Sequence, residues 1–312
     1  MSALTNYSNN TSSKTSFENI SDITKLICCV TNVVLSLTAF GGNFWALGAI
    51  WKSPSLHSPT NVLFFGLALS DFGVGFIVQP LYVGALVISL RKHPVDFVKF
   101  YYWLQAFFVC TTVLTLTAVA CDRFLAIFLH LRYQAAVTMK RAKFALCAIW
   151  ITSALYASTI IWAHYIYQKL TVTLISIFII ANALFYFMIQ RVVQRHQVQI
   201  QKQTHINMQR QGNRALNATR YKKSVTNLLG LYILLILCYA PYLCTRVAII
   251  FSIRTIGHEI ALNVVITLVY VNSSMNPVFY FWRISELRTA MKQFLKTFSC
   301  QKFPVVDQIN CK

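Results

Sequence analysis

Residues 271–283 read "VNSSMNPVFYFWR", an Asn-Pro pair inside an otherwise apolar, aromatic run. Proline within a helix removes one backbone hydrogen bond and crowds the preceding turn, at a cost of ~3 kcal/mol or more. In lipid the stranded carbonyl is worse off still, because no water reaches it. What satisfies a broken turn at Pro277 is therefore a question for the rest of the chain.

The surroundings make this a membrane question. The 312 residues are 56% hydrophobic and 12% charged, with mean hydropathy +0.55, whereas a soluble domain carries about 25% charged residues. About 20 predominantly apolar residues span a bilayer as a helix. Seven such runs are present, at 26–50, 60–88, 97–128, 143–163, 170–190, 224–252 and 258–282. The pattern predicts an all-α membrane protein, a seven-helix transmembrane bundle. Residues 1–25 form an outer tail, 26–283 the membrane domain, and 284–312 an amphipathic helix and inner tail.

A formal net charge of +20 could mark a nucleic-acid binder, but its distribution excludes that reading. Of 28 Lys and Arg, 19 lie at Lys52, Arg132–Lys143, Arg191–Lys223 and from Arg283 onward, all on one side if the N-terminus is outside. Basic loops mark the cytoplasmic face, where they also hold the chain against anionic lipid. The first 22 residues lack the apolar core of a cleaved signal peptide and read as a disordered polar tail. They carry Asn-x-Ser/Thr acceptors at Asn6, Asn9, Asn10 and Asn19, which this topology places outside. No cysteine falls in an outer loop, so the sequence offers no extracellular disulfide.

Polar residues within spans are costly and are functional hypotheses by default. They are Asn43 in span one, Asp71 in span two, Asp122 and Arg123 at the inner end of span three, Arg246 in span six beyond Pro241, and Asn272 and Asn276 in span seven. Gln105 and Arg123 are 18 residues apart, which is five helical turns, so they share one face about 27 Å apart. One helix thus touches both an outer cavity and the inner boundary.

This set of motifs resembles the rhodopsin-like (class A) G-protein-coupled receptors over most of the chain, from about residue 28 to 300. The matching pieces are Gly42-Asn43, "LALSD" with Asp71, Asp122-Arg123-Phe124, Trp150, Cys238-Tyr239-Ala240-Pro241 and Asn276-Pro277-Val278-Phe279-Tyr280. The resemblance implies a plasma-membrane receptor that is not an enzyme. It would bind an extracellular ligand and drive nucleotide exchange on a heterotrimeric G protein, with arrestin-type regulators as further partners. Its activation switch would comprise Asp122, Arg123, Tyr239, Pro241, Asn276, Pro277 and Tyr280. A polar core of Asn43, Asp71, Thr112, Asn272 and Ser273 would accommodate water and an allosteric Na+, oxygen donors suiting a hard cation.

Ligand-pocket candidates on this reading are Gln105, Tyr239, Tyr242, Arg246, Asn263, Ile266 and Tyr270. Amine receptors place an Asp where Gln105 stands, so a biogenic amine is disfavoured; visual pigments need a Lys where Tyr270 stands, so a light-sensing pigment is disfavoured too. A transporter or channel would show broken helices in corresponding halves, and the Pro-broken spans six and seven have no counterpart pair in the first half. Tyr239 replaces the usual Trp, and "NATRYKKSV" at the inner end of span six lacks the acid that clamps Arg123 in many relatives, which implies basal signalling. The cysteine-free, short connection "WAHYIYQKL", the missing Cys at the start of span three and the Pro-free span five are losses shared with melanocortin receptors and partly with the lysolipid and cannabinoid group, and "RISELRTAMKQF" looks melanocortin-like too. The acidic residues with which melanocortin receptors bind a basic peptide are missing here. After span seven, Ile284, Leu287, Met291, Phe294 and Leu295 give an apolar helix face suited to the inner leaflet, and Cys300 is a palmitoylation candidate. The basic insert "RVVQRHQVQIQKQTHINMQRQGNRALNATRYKK" is expected to extend spans five and six and to contact the G protein.

Overall fold

The computed structural model describes residues 2–93, 97–129, 132–204, 211–253, 255–283 and 285–301, and for 2–15, 196–204, 211–229 and 298–301 the backbone path alone. The expected helices are all present. Span one belongs to α1 (Ser2–Lys52), and span two to α2 (Pro59–Gly73) joined through a π-helical turn (Val74–Val78) to α3 (Gln79–Leu90). Span three is α4 (Val98–Leu129), followed by the short α5 (Tyr133–Ala136). Spans four to seven are α6 (Met139–Trp162), α7 (His164–Thr204), α8 (Gln211–Phe251) and α9 (Ile256–Arg283), and α10 (Ser285–Gln301) closes the chain. Seven of these helical segments are long and apolar enough to cross a membrane.

One expectation is corrected and one is refined. The outer tail is not irregular: helix α1 begins at Ser2. Extending an existing helix costs far less than nucleating one, and local contacts such as Lys25 Nζ–Asp22 Oδ1 (3.2 Å) and Thr24 Oγ1 donating to Ile20 O (2.8 Å) support the segment leading into the span. The first half also contains a broken span, at Pro80. Just before it the helix widens by one residue: Gln79 N–H reaches back five residues to Val74 O, the single-turn π-bulge often found at functional sites. The bulge rotates the outer half of the span, which turns Gln79 and Tyr82 into the interior, at 0% and 4% exposure. One broken span in the first half still makes no counterpart to the pair in the second.

Helices α1 and α9 are stitched by polar groups. Asn32 Nδ2 donates to Cys28 O and to Thr267 Oγ1 (both 2.8 Å), and Ser274 Oγ donates to Leu35 O (2.9 Å). Close approach is possible because residue 42 is glycine: a Cβ there would stand 2.8 Å from the Pro277 ring. Helix α10 plugs back onto α1, with Leu287, Ala290, Met291 and Phe294 buried and the Phe294 ring 5.5 Å from Trp45. Of the apolar face expected here, Leu295 is 40% exposed, and Ile284 lies outside the described residues. The long insert continues α7 to Thr204 and starts α8 at Gln211.

Candidate functional site

The stranded carbonyl at Pro277 has a partner. The group four residues back is Ser273 O, and Asn43 Nδ2 donates to it at 3.2 Å while also donating to Ala39 O at 2.8 Å. Span two repeats the device. In the π register the N–H that Pro80 lacks would have reached Gly75 O, and Ser36 Oγ donates there at 2.7 Å. A side chain of α1 thus replaces the missing donor at both Pro80 and Pro277.

Asp71 lies at the centre of this frame, fully buried. Asn276 Nδ2 donates to its Oδ2 at 2.6 Å and Thr112 Oγ1 reaches Oδ1 at 3.5 Å, with Ser70 Oγ 3.1 Å from the Thr112 hydroxyl. Asn43 Oδ1, Asn272 Oδ1 and Asn276 Oδ1 are buried oxygens without hydrogen-bond donors among the described residues. A carboxylate ringed by spare oxygens and hydroxyls fits a small hard cation with its water. Asp71, Thr112, Asn272, Ser273 and Asn276 are the residues that would hold it, and the ion would supply the charge that a buried carboxylate otherwise lacks. Tyr280 is completely buried near the inner end, its ring edge-on to Phe64 at 5.8 Å and its hydroxyl unpartnered among the described residues.

At the inner boundary Arg123 Nη2 lies 3.3 Å from Asp122 Oδ2. Two residues that the sequence had not singled out hold the acid. Thr60 Oγ1 donates to Oδ2 at 2.8 Å, and Tyr133 OH donates to Oδ1 at 2.7 Å. Burial, and with it the neighbouring carboxylate, pushes the Tyr133 hydroxyl up from its ordinary value, so it stays a donor. Asp122 is thereby fixed from α2, α4 and α5 together. The basic stretch at the inner end of α8 lies outside the described side chains.

In the outer half, a cleft between α4, α6, α7, α8 and α9 encloses about 520 Å³, counting the open space at its mouth. Gln105 and Tyr242 line it. Arg246 stands one turn outward, half-buried, its Nε donating to Tyr242 OH at 2.9 Å. Tyr239 is buried in the core below, and Ile266, on α9, is buried in the core as well. Tyr270 and Asn263 belong to a separate tyrosine cluster: Tyr101 OH lies 2.9 Å from Tyr270 OH, and Tyr82 OH donates to Asn263 Oδ1 at 3.2 Å. Trp150 packs edge-on against Phe107 (5.6 Å) and Phe108 (6.5 Å) behind the cleft.

Sequence reading also passed over Asn32, Gln79 and Asn182. Each interrupts an apolar run as Asn43 does, and that was the available signal. Asn182 Nδ2 ties α7 to Thr117 Oγ1 at 2.8 Å. Gln79 is buried with neither side-chain polar atom bonded among the described residues. Of the modification sites, Asn19 is exposed, while Asn6, Asn9, Asn10 and Cys300 lie outside the described side chains.

One helix, α4, thus reaches both an outer cleft and an inner ion pair within a bundle of seven membrane-span candidates. Residues 42–169 match the family model described as 7 transmembrane receptor (rhodopsin family). Over that stretch, less than half of the chain, the protein is similar to the rhodopsin-family seven-transmembrane receptors, and the seven helices long and apolar enough to cross a membrane agree with that likeness.

Proposed function

We propose that the protein couples an extracellular ligand bound in the outer cleft to a heterotrimeric G protein through rearrangement of α8 and α9. The observation that carries this is the continuity of α4, which presents Gln105 to the cleft and Asp122-Arg123 to the inner face. Tyr239 beneath the cleft and Tyr280 near the inner end are the side chains placed to move with the prolines. Asp71 and its neighbours bind Na+ in the resting form, supported by the buried donor-free oxygens around it. With Asp122 as the ion-pair partner of Arg123 among the described residues and no acid in "NATRYKKSV", the receptor signals without ligand.

Arrestin-type regulators bind the same inner face. Asn19 and its neighbouring acceptors carry glycans, and Cys300 carries palmitate that anchors α10. A melanocortin-like branch is supported by the single residue, Ala163, between α6 and α7 and by a proline-free α7. The test is nucleotide exchange on purified G proteins by the receptor in lipid nanodiscs, with and without ligand libraries. Exchange above the receptor-free rate supports the assignment. Flux of an ion or solute without exchange would replace it with a transporter.

A further inference from the structure

The cleft has a chemistry that the receptor class does not specify. Its walls are largely apolar, with Val109, Val113, Leu174, Ile175 and Phe178 among them. Several of its polar groups already satisfy one another: the Tyr156 hydroxyl lies 2.6 Å from Thr171 Oγ1, which donates to Tyr167 O at 2.7 Å. Among the described residues no Asp, Glu, Lys or Arg lines it, so a cationic ligand would find no counter-charge among them.

The charge lies one turn above, on Arg246. Its guanidinium is drawn onto Tyr242, a lining residue, by the Nε hydrogen bond and by a cation–π contact of 5.1 Å to the ring centroid. It is therefore held over the cleft rather than extended toward the outer surface. Among the described residues the ion pairs are Lys25–Asp22 and Arg123–Asp122, and neither involves Arg246. Holding a cation half-buried without a counter-ion is costly. The Nε bond leaves the two terminal nitrogens as a fork that suits a carboxylate or phosphate.

Access points the same way. Helix α6 ends at Trp162 and α7 begins at His164, so the connection beside the cleft is too short to form a lid. The helix ends there present Ile161, Trp162, Tyr165 and Ile166 to the surroundings.

We infer that the cleft binds an anionic amphiphile, an apolar chain lying between α4 and α7 with a carboxylate or phosphate held by Arg246. This rests on reading the cleft as the receptor's ligand site.

The test uses the full-length receptor in phosphatidylcholine nanodiscs, with oleate, oleoyl lysophosphatidate and uncharged mono-oleoylglycerol as probes. Binding is read by thermal stabilisation and by displacement of a fluorescent acyl probe. Both anions, or one of them, should bind more tightly than the uncharged probe. Oleate alone would specify a fatty carboxylate, and lysophosphatidate alone a phosphate headgroup. Arg246→Gln should weaken the anions by about tenfold or more and leave mono-oleoylglycerol within about twofold; Arg246→Lys should recover part of the loss. Val113→Phe, which narrows the apolar arm, should weaken every acyl probe and keeps the test open if Arg246→Gln fails to fold. Equal binding of the anions to wild type and Arg246→Gln, or failure of both anions to bind, overturns the inference. Nucleotide exchange in the same discs separates the two levels. Basal exchange without anion binding sinks the ligand assignment alone, whereas Arg246-dependent binding without exchange on any G protein sinks the receptor reading and leaves the site.

Discussion

The frame formed by α1, α2, α3 and α9 and the single helix α8 treat proline in opposite ways. In the frame, the carbonyls stranded by Pro80 and Pro277 each meet α1, which returns the missing hydrogen bond through Ser36 Oγ or Asn43 Nδ2. In α8, the carbonyl four residues before Pro241 belongs to Leu237, whose side chain is 64% exposed, and no side chain donates to it among the described residues. Thr245 Oγ1 instead donates to Pro241 O at 2.9 Å, on the far side of the break. The same residue is thus part of a rigid seam in one region and a weak point in the other. A satisfied carbonyl has one favoured geometry, whereas an unsatisfied one next to lipid gains from bending toward any donor. Helix α8 carries the less constrained break.

The comparison breaks most sharply at the prolines themselves. Pro241→Ala restores an N–H for Leu237 O, and should raise thermal stability by about 1–3 kcal/mol while cutting ligand-stimulated nucleotide exchange by about tenfold or more. Greater stability with undiminished exchange would show that α8 does not hinge there. Asn43→Ala should act in the opposite direction on stability, lowering it by about 1–3 kcal/mol because a buried carbonyl loses its donor; differential scanning fluorimetry in nanodiscs would read it. Asn276→Ala removes the 2.6 Å bond to Asp71, and should impair signalling more than ligand binding. Equal losses of both at matched surface expression would make Asn276 a folding element.

Smaller effects sharpen the picture. Ser36→Ala should cost about 1 kcal/mol, less than Asn43→Ala, because Ser36 is only partly buried. Tyr133→Phe removes one of the two hydroxyls that fix Asp122, so basal exchange should rise by roughly threefold with little change in melting temperature. A fall in basal exchange would mean that Tyr133 serves the active form instead.

Much of this was legible in the linear order. Span positions followed from apolar runs and the basic loops, because hydrophobic length and charge asymmetry are one-dimensional properties. Asp71, Asn276 and Arg123 stood out because charge and amides are expensive in lipid. Thr60 and Tyr133 did not, since a hydroxyl at a helix start or in a loop has no sequence signal for a carboxylate 62 or 11 residues away. The pocket candidates divided for a similar reason. Helical spacing placed Tyr239, Tyr242 and Arg246 on one helix, but the packing of α8 against its neighbours decided that Tyr242 lines the cleft and that Tyr239 is buried outside its lining.

The sequence by itself determined a bundle of seven membrane-span candidates and the identity of its polar interruptions, because burial of apolar length and the cost of charge in lipid leave few alternatives. Only the tertiary structure decided which donor meets which stranded carbonyl. The breaks at Pro80 and Pro277 are repaired by Ser36 and Asn43, 39 and 230 residues away along the chain. Such contacts depend on how closely helices approach, and at Pro277 that distance is set by the bare Cα of Gly42.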